Sequence, residues 1–325
     1  MGAMGLINIT QKHALLKNDE ASLDLALGAN LRYVFSYFID KGRFWSIGFR
    51  ATMDQFETEA PFSVGAQGVP NVYESPRTRA STQTHTFFVQ TIFKEEAILG
   101  LGIAHQKNKF RTHLFDSQTG QFLFADDADY YSTEGYLKVD TRDNAYFPSK
   151  GGFFNGSMAY YFSQKTPLDF GTFSPFIIGK ATMGVTVPFN KKWNVSLNTS
   201  GGFTIHTPNT PTFDFLLGGY GNAPLLNYYS FVGLPQQHTG ADSFVQGEIA
   251  LDYEFIPNHH AMLITHASVL DDDIFTNDKW VSRPNYLGLG LAYGLDTFAC
   301  PLECMAAYSP EFNRLVYHVS VGWRF

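Results

Sequence analysis

Nowhere does this 325-residue chain approach the roughly 18–20 consecutive apolar residues of a membrane-crossing helix. That excludes a helical membrane protein. Helical patterning of any kind is scarce: pieces such as "KEEAILG" tolerate a helix, but their surroundings are strand-like. Charge is scarce too, at 16% against about 25% in an average soluble domain. The net charge of −7 argues against nucleic acid as a partner. Cysteine occurs only as Cys300 and Cys304 in "ACPLEC". A metal centre takes about four ligands, and no second Cys/His cluster stands nearby. No metal and no other cofactor is expected; the two thiols are free or bridged beside a tight turn.

Aromatics, by contrast, reach 16%, with 31 Phe and 17 Tyr. They fall in segments that alternate apolar and polar residues, the period of a strand with two unlike faces. In "FVQGEIALDYEF", Val245, Ile249, Leu251, Tyr253 and Phe255 share one face, and Gln246, Glu248, Asp252 and Glu254 the other. "YLGLGLAYGL" sets four leucines and Tyr293 against Gly288, Gly290, Ala292 and Gly294. "IIGKATMGVTV" sets Lys180, Thr182 and Thr186 against Ala181, Met183, Val185 and Val187. Carboxylates and lysine on the inner face do not suit a packed soluble core. They suit a hydrated lumen.

About fifteen such segments begin near residues 6, 21, 30, 43, 80, 96, 130, 151, 173, 192, 242, 259, 284, 301 and 314. Short connections (40–43, 94–96, 190–192, 257–260) alternate with long ones (58–79, 111–129, 208–241, 271–283) along most of the chain. Outer-membrane barrels sort loop length in this way, with short periplasmic turns and long external loops. Closure also removes the open edges that lipid forbids. The fold expected is an all-β transmembrane antiparallel up-and-down barrel of about 15–16 strands.

The chain ends "LVYHVSVGWRF", with Leu315, Tyr317, Val319, Val321, Trp323 and Phe325 on one face. This reads as the closing strand, with Tyr317 and Trp323 placed like girdle aromatics and Gly322 interrupting it. The C-terminus is then periplasmic. The opening "MGAMG" has neither the basic nor the apolar region of a signal peptide. It reads as a cloning remnant (residues 1–5) ahead of one barrel domain, 6–325. Bacterial single-chain barrels use even strand counts, so a first strand just upstream of Leu6 is expected to be missing.

Two stretches are more specific. "VDTRDNAYFPSKGG" (139–152) lies at a strand–turn–strand junction. Phe147-Pro148 is expected to stop one strand, Gly151 to open the next, and Asp140, Arg142 and Asp143 to form an ion-pair or capping cluster around Asn144. The connection 208–241 is long, apolar and glycine-rich, and loops of that length are usually functional. Exposed, its aromatics would forgo roughly 1.5–3 kcal/mol per large side chain. The loop is therefore expected to fold into the lumen, with Tyr228, Tyr229 and Phe231 against Glu248, Asp252, His266 and His318.

The hairpin motif resembles the D-x-R-D-N-x-x-F-P-x-x-G hairpin of the BamA/TamA outer-membrane assembly superfamily, the bacterial surface antigen barrels. That family's inward loop carries a V-R-G-[FY] tip, matched here by Val232-Gly233-Leu234 after Phe231. Gly233 is retained, but the arginine position falls on Val232, so the family's arginine–carboxylate lock does not carry over. Over nearly the whole chain, "ITQKHALLKNDEASLDLALGANLRYVFSYFIDKG", "FLLGGYG" and "YGLDTF…YSP…VYHVSVGWRF" resemble the barrel that follows patatin-like phospholipase domains in type V autotransporter fusions. The resemblance implies an N-terminal lipase passenger and a POTRA module fused upstream. It also implies partners in outer-membrane lipid and the outer-membrane insertion machinery, which reads the C-terminal strand.

Enzyme chemistry finds little footing in the chain itself. The nearest approach to G-x-S-x-G is "FNGSMAY", which lacks the second glycine of a nucleophile elbow. His259-His260 sit at a turn, and "DDD" at 271–273 with "ND" at 277–278 reads as a solvated acidic loop. The chain is not expected to be an enzyme. The expected function is an outer-membrane translocation or assembly barrel that anchors and exports a fused passenger. The alternatives are a passive porin and, less favoured, a barrel enzyme.

Overall fold

The computed structural model describes residues 4–28, 31–40, 44–58, 78–93, 96–112, 115–116, 121–122, 125–166, 173–208, 211–220, 227–235, 238–298 and 300–322. Fifteen strands form one sheet in chain order: β1 (Met4–Lys12), β2 (Asp19–Gly28), β3 (Leu31–Asp40), β4 (Ser46–Thr58), β5 (Thr78–Phe93), β6 (Ala97–Thr112), β7 (Ala125–Asp140), β8 (Gly151–Lys165), β9 (Phe176–Pro188), β10 (Trp193–Ile205), β11 (Ser243–Ile256), β12 (His259–Asp271), β13 (Tyr286–Asp296), β14 (Pro301–Ser309) and β15 (Arg314–Val321). Each pairs antiparallel with its neighbours. Glu248 faces His266 between β11 and β12, for example, and Leu291 faces Ala306 between β13 and β14. The sheet forms an up-and-down barrel. Among the described residues no ladder joins β1 to β15.

Each expected segment corresponds to one strand, and the starts agree within five residues. Loop length also sorts by side. Residues 59–77, 113–124, 166–175, 206–242 and 272–285 connect strands at one end, and 13–18, 41–45, 94–96, 189–192, 257–258 and 297–300 at the other. The exceptions are two short connections on the long side, 29–30 and 310–313, and a longer one on the short side, 141–150.

Alternation puts the apolar face outward. Phe87, Leu101, Leu291, Tyr317 and Val319 are all more than 60% exposed, which is tolerable only against lipid. Aromatics gather on this face near the short-connection end. Phe44 packs edge-on against Trp45 and Phe93, and Trp193 stacks on Tyr253 with ring centroids 4.3 Å apart. Such rings mark a membrane–water boundary. Facing inward are Arg32 with Asp54 (3.5 Å), Gln90 with Tyr136, Gln106 with Tyr161, and Lys180. These polar pairs are the inner half of each strand's alternation.

Candidate functional site

The inside of the barrel is occupied from both ends by the chain's own segments. From the long-connection end comes the loop between β10 and β11. Its Phe215–Leu217 segment pairs parallel with Tyr228–Tyr229 and antiparallel with Thr239–Ala241, a three-stranded sheet of its own. This pairing satisfies backbone groups that would otherwise be orphaned away from water. The N–H of Phe231 donates to the Gly219 carbonyl at 2.8 Å, and that of Gly219 to the Leu234 carbonyl at 2.9 Å.

The loop's apolar side chains meet the inner wall on both sides. Phe213, Phe215, Leu217, Phe231 and Leu234 are buried in one cluster with Tyr130, Tyr161 and Phe176 of β7–β9 and with Phe244 and Leu270 of β11–β12. Phe213 lies edge-on to Tyr130, centroids 5.0 Å apart. Polar ties add direction: Lys180 Nζ donates to Asn227 Oδ1 at 3.3 Å, and Gln246 Nε2 to the Ser230 carbonyl at 3.2 Å.

The tip is the most confined part. Phe231 is edge-on to His266 at 5.2 Å. Val232, fully buried, packs on Ile264, Ala292, Met305 and Ala307 of β12–β14. Its N–H donates to His266 Nδ1 at 3.3 Å. His266 Nε2 lies 2.5 Å from Glu248 Oε2, and Asn198 Nδ2 donates to Glu248 Oε1 at 2.6 Å. Gly233 has φ of 89°, and a Cβ there would sit 2.5 Å from the Tyr308 carbonyl. Only glycine fits that conformation and that approach. A side chain at Gly288 would likewise strike the Val232 carbonyl at 2.0 Å.

The expected loop residues divide. Phe231 lies against His266, while Tyr229 packs on Phe215 and Phe244. Tyr228 turns back into the loop, donating its hydroxyl to the Gly218 carbonyl. Among the described residues Asp252 does not meet the loop; His318 does, through Tyr220 at 5.5 Å, a contact that the aromatic spacing of 228–231 did not indicate. Of the C-terminal positions, Tyr317 faces outward, and Gly322 ends the described part with φ of 115° and its N–H on the Pro301 carbonyl. Trp323 and Phe325 lie outside the described residues.

From the other end comes the turn 141–150. Arg142 grips Asp140 with two bonds, Nε to Oδ1 at 3.0 Å and Nη2 to Oδ2 at 2.7 Å, and lies 4.5 Å over the Phe153 ring. Asp143 accepts from the Ser149 hydroxyl and from the N–H groups of Ser149 and Lys150. Partial burial opposes its charge, but these donors outweigh it and hold the carboxyl below the usual range. Asn144 caps the N–H groups of Tyr146 and Phe147 and donates to Asp296 Oδ2 at 3.2 Å.

The expectation that Phe147-Pro148 stops a strand is corrected here. β7 ends at Asp140 and both residues stand inside the turn. Phe147 is carried into the barrel, where it stacks flat on His260 at 4.4 Å and fills the space left by Gly294. His260 in turn holds Asp252 at 2.9 Å. Gly151 begins β8 with φ of 104°, hard against the Thr141 carbonyl.

Cys300 and Cys304 are free thiols. Asp271 pairs with Lys279 at 2.5 Å on the long-connection side. No group of metal-ligating side chains is present among the described residues.

Solved structures share this fold. BamA from Haemophilus ducreyi lacking POTRA domains 1–3 superposes with a TM-score of 0.71 at 13% identity, covering 99% of this chain and 68% of that one. CdiB from Acinetobacter baumannii gives 0.64 at 14% identity, and CdiB from Escherichia coli 0.60 at 12%. Each match covers 98% of this chain; this chain spans 56% and 58% of those two. These identities speak for a shared fold alone. A search of curated proteins finds no match. The family model described as OMP85 superfamily matches residues 2–325. With that match over nearly its whole length, the chain belongs to the OMP85 superfamily of outer-membrane barrels.

Proposed function

We propose that this chain is the outer-membrane barrel of a translocation or assembly protein, and that it anchors and exports a patatin-like lipase passenger fused upstream through a POTRA module. The observation that carries the reading is the occupied lumen. Loop 206–242 and turn 141–150 meet the wall from opposite ends, so the resting barrel is a stoppered conduit and not an open pore. A passive porin would keep a water-filled channel. A device that conducts only when its plug moves suits the passage of a polypeptide. The aromatic ring near the short connections fits a periplasmic face there, which would put the C-terminus in the periplasm. No ladder joins β1 to β15 among the described residues, which suits a seam that offers strand pairing to a client or to the insertion machinery.

On this reading the barrel carries no hydrolytic chemistry. The test is hydrolysis of lipid esters by this chain in liposomes, together with its conductance in a planar bilayer. The proposal expects no hydrolysis and a mostly closed pore. Steady porin-like conductance or esterase activity of the chain alone would overturn it. The coding sequence upstream of Leu6 is expected to encode a patatin-type elbow and POTRA repeats.

A further inference from the structure

At the loop tip the side chain of Val232 is sunk among Ile264, Ala292, Met305 and Ala307. A guanidinium could not occupy that apolar pocket without an unpaired buried charge. Yet the tip is held. The bond runs from the Val232 backbone N–H to Nδ1 of His266, a side chain only 1% exposed. An N–H can donate to Nδ1 only if Nδ1 bears no proton, so the proton of the neutral ring sits on Nε2. There it meets Glu248 Oε2 at 2.5 Å, and Glu248 is itself oriented by Asn198.

We propose that His266 is the positioning residue that latches the lumenal loop, by its backbone and in one tautomer, and that protonation of His266 opens the latch. This rests on the reading of the loop as a resting plug. The imidazolium has a hydrogen on both nitrogens, so Nδ1–H would confront the Val232 N–H, two donors facing each other. Glu248 would hold the imidazolium in place without repairing that contact. The tip would lose its only polar tie to the wall among the described residues.

The neighbouring groups do not mimic the effect. Among the described residues Glu248 of β11 is the only carboxylate bonded to the ring. Beyond it, β13 offers Tyr286, against Phe231, and β14 offers Tyr308, against Gly233; neither is a carboxylate or an imidazole. The tip itself, Phe231-Val232-Gly233, has no charged side chain. Further down the lumen His260 behaves oppositely. Its bonds are to Asp252 and its face is on Phe147, so a positive charge there tightens both contacts. At the loop's base Asp214 is held well above the carboxylate range by burial and by Asp272 and Asp242. Acid therefore relieves strain there and works against opening. At the tip, among the described residues, acid-induced opening thus has His266 as its source; away from the tip His238, beside Phe312, and His318, edge-on to Tyr220, also touch the loop, and His238→Asn and His318→Asn separate their part.

The test uses the full-length protein in liposomes, followed by protease cleavage of the loop and by bilayer conductance, from about pH 8 to about pH 5. Wild type should be resistant and closed at the upper end, and cleavage should rise roughly tenfold at the lower. His266→Asn keeps an acceptor oxygen near the place of Nδ1 and does not titrate, so it should stay closed with no rise in cleavage on acidification. His85→Asn, on the outer face, should leave the wild-type profile unchanged. If His266→Asn fails to fold, hydrogen exchange at the Val232 amide in wild type serves instead, and it should quicken on acidification ahead of the barrel amides. An acid response that survives in His266→Asn overturns the proposal. So does a wild-type loop, or a Val232 amide, equally protected at both ends of the range.

Discussion

Phe147 lies flat on His260, ring centroids 4.4 Å apart and planes 8° from parallel, although the first belongs to the turn after β7 and the second opens β12. Turn and strand are far apart in the sheet order, so the contact crosses the lumen. Phe147 is 7% exposed. Its truncation to Ala should cost about 3–5 kcal/mol, measured by reversible unfolding from lipid, and should raise conductance from the short-connection side. Gly294→Val should do the same from the other partner, because a Cβ there would come within 2.4 Å of the Phe147 ring.

The ion pair in the same turn should matter far less. Asp140 is 52% exposed and Arg142 23%, and exposed pairs contribute about 1 kcal/mol or less. Arg142→Ala should therefore cost about 1 kcal/mol, including its contact with the Phe153 ring. Arg142→Lys should recover little of it, since a single ammonium cannot reproduce the two-bond grip. Denaturation at low and high salt checks both.

Gly233→Ala should disturb the loop more than its one methyl suggests. The residue stands at φ of 89° against the β14 backbone, so the tip must back away from Tyr308. Expected outcomes are higher conductance and faster protease cleavage of the loop. Gly233→Arg should exceed both.

Asp214 sets a pH dependence at the loop base. Its carboxyl, partly buried and flanked by Asp272 and Asp242, is held well above the ordinary carboxylate range. A raised folded-state value means protonation favours the docked loop. That contribution is full below the unfolded value and is lost as pH rises through the folded one. Asp214→Asn should remove the loss and slow loop cleavage by a few fold at neutral pH. Cleavage rates of the two proteins should converge in acid.

Much of the fold was legible in the residues because lipid and lumen each select one face of every strand. The β13 sequence shows it plainly, leucine outside and glycine inside. The inward fold of the loop was also legible, since Phe213, Phe215 and Leu217 need somewhere dry. The role of Phe147 was not. Phe-Pro is a local stop signal, and the space that receives the ring is made by Gly294 and His260, more than a hundred residues later. The His266–Glu248 pair left a fainter trace. The hairpin turns at Pro257-Asn258, and the two residues stand almost equally far from it, a bulge near Glu254 absorbing the difference. Both also fall on the polar phase of their strands. That symmetry marks them as partners, but the amide that they hold comes from another segment.

The central claim is that the barrel works only when its own loop leaves the lumen. Ser230 and Gln246 are joined across loop and wall by a 3.2 Å bond. In full-length protein with Cys300→Ser and Cys304→Ser, Ser230→Cys and Gln246→Cys can be bridged by a cleavable bifunctional thiol reagent. Surface appearance of the passenger on intact cells is then followed before and after cleavage of the bridge. The account expects export to stop while the bridge is intact and to resume when it is cut. Export at the unbridged rate from fully bridged protein would contradict it.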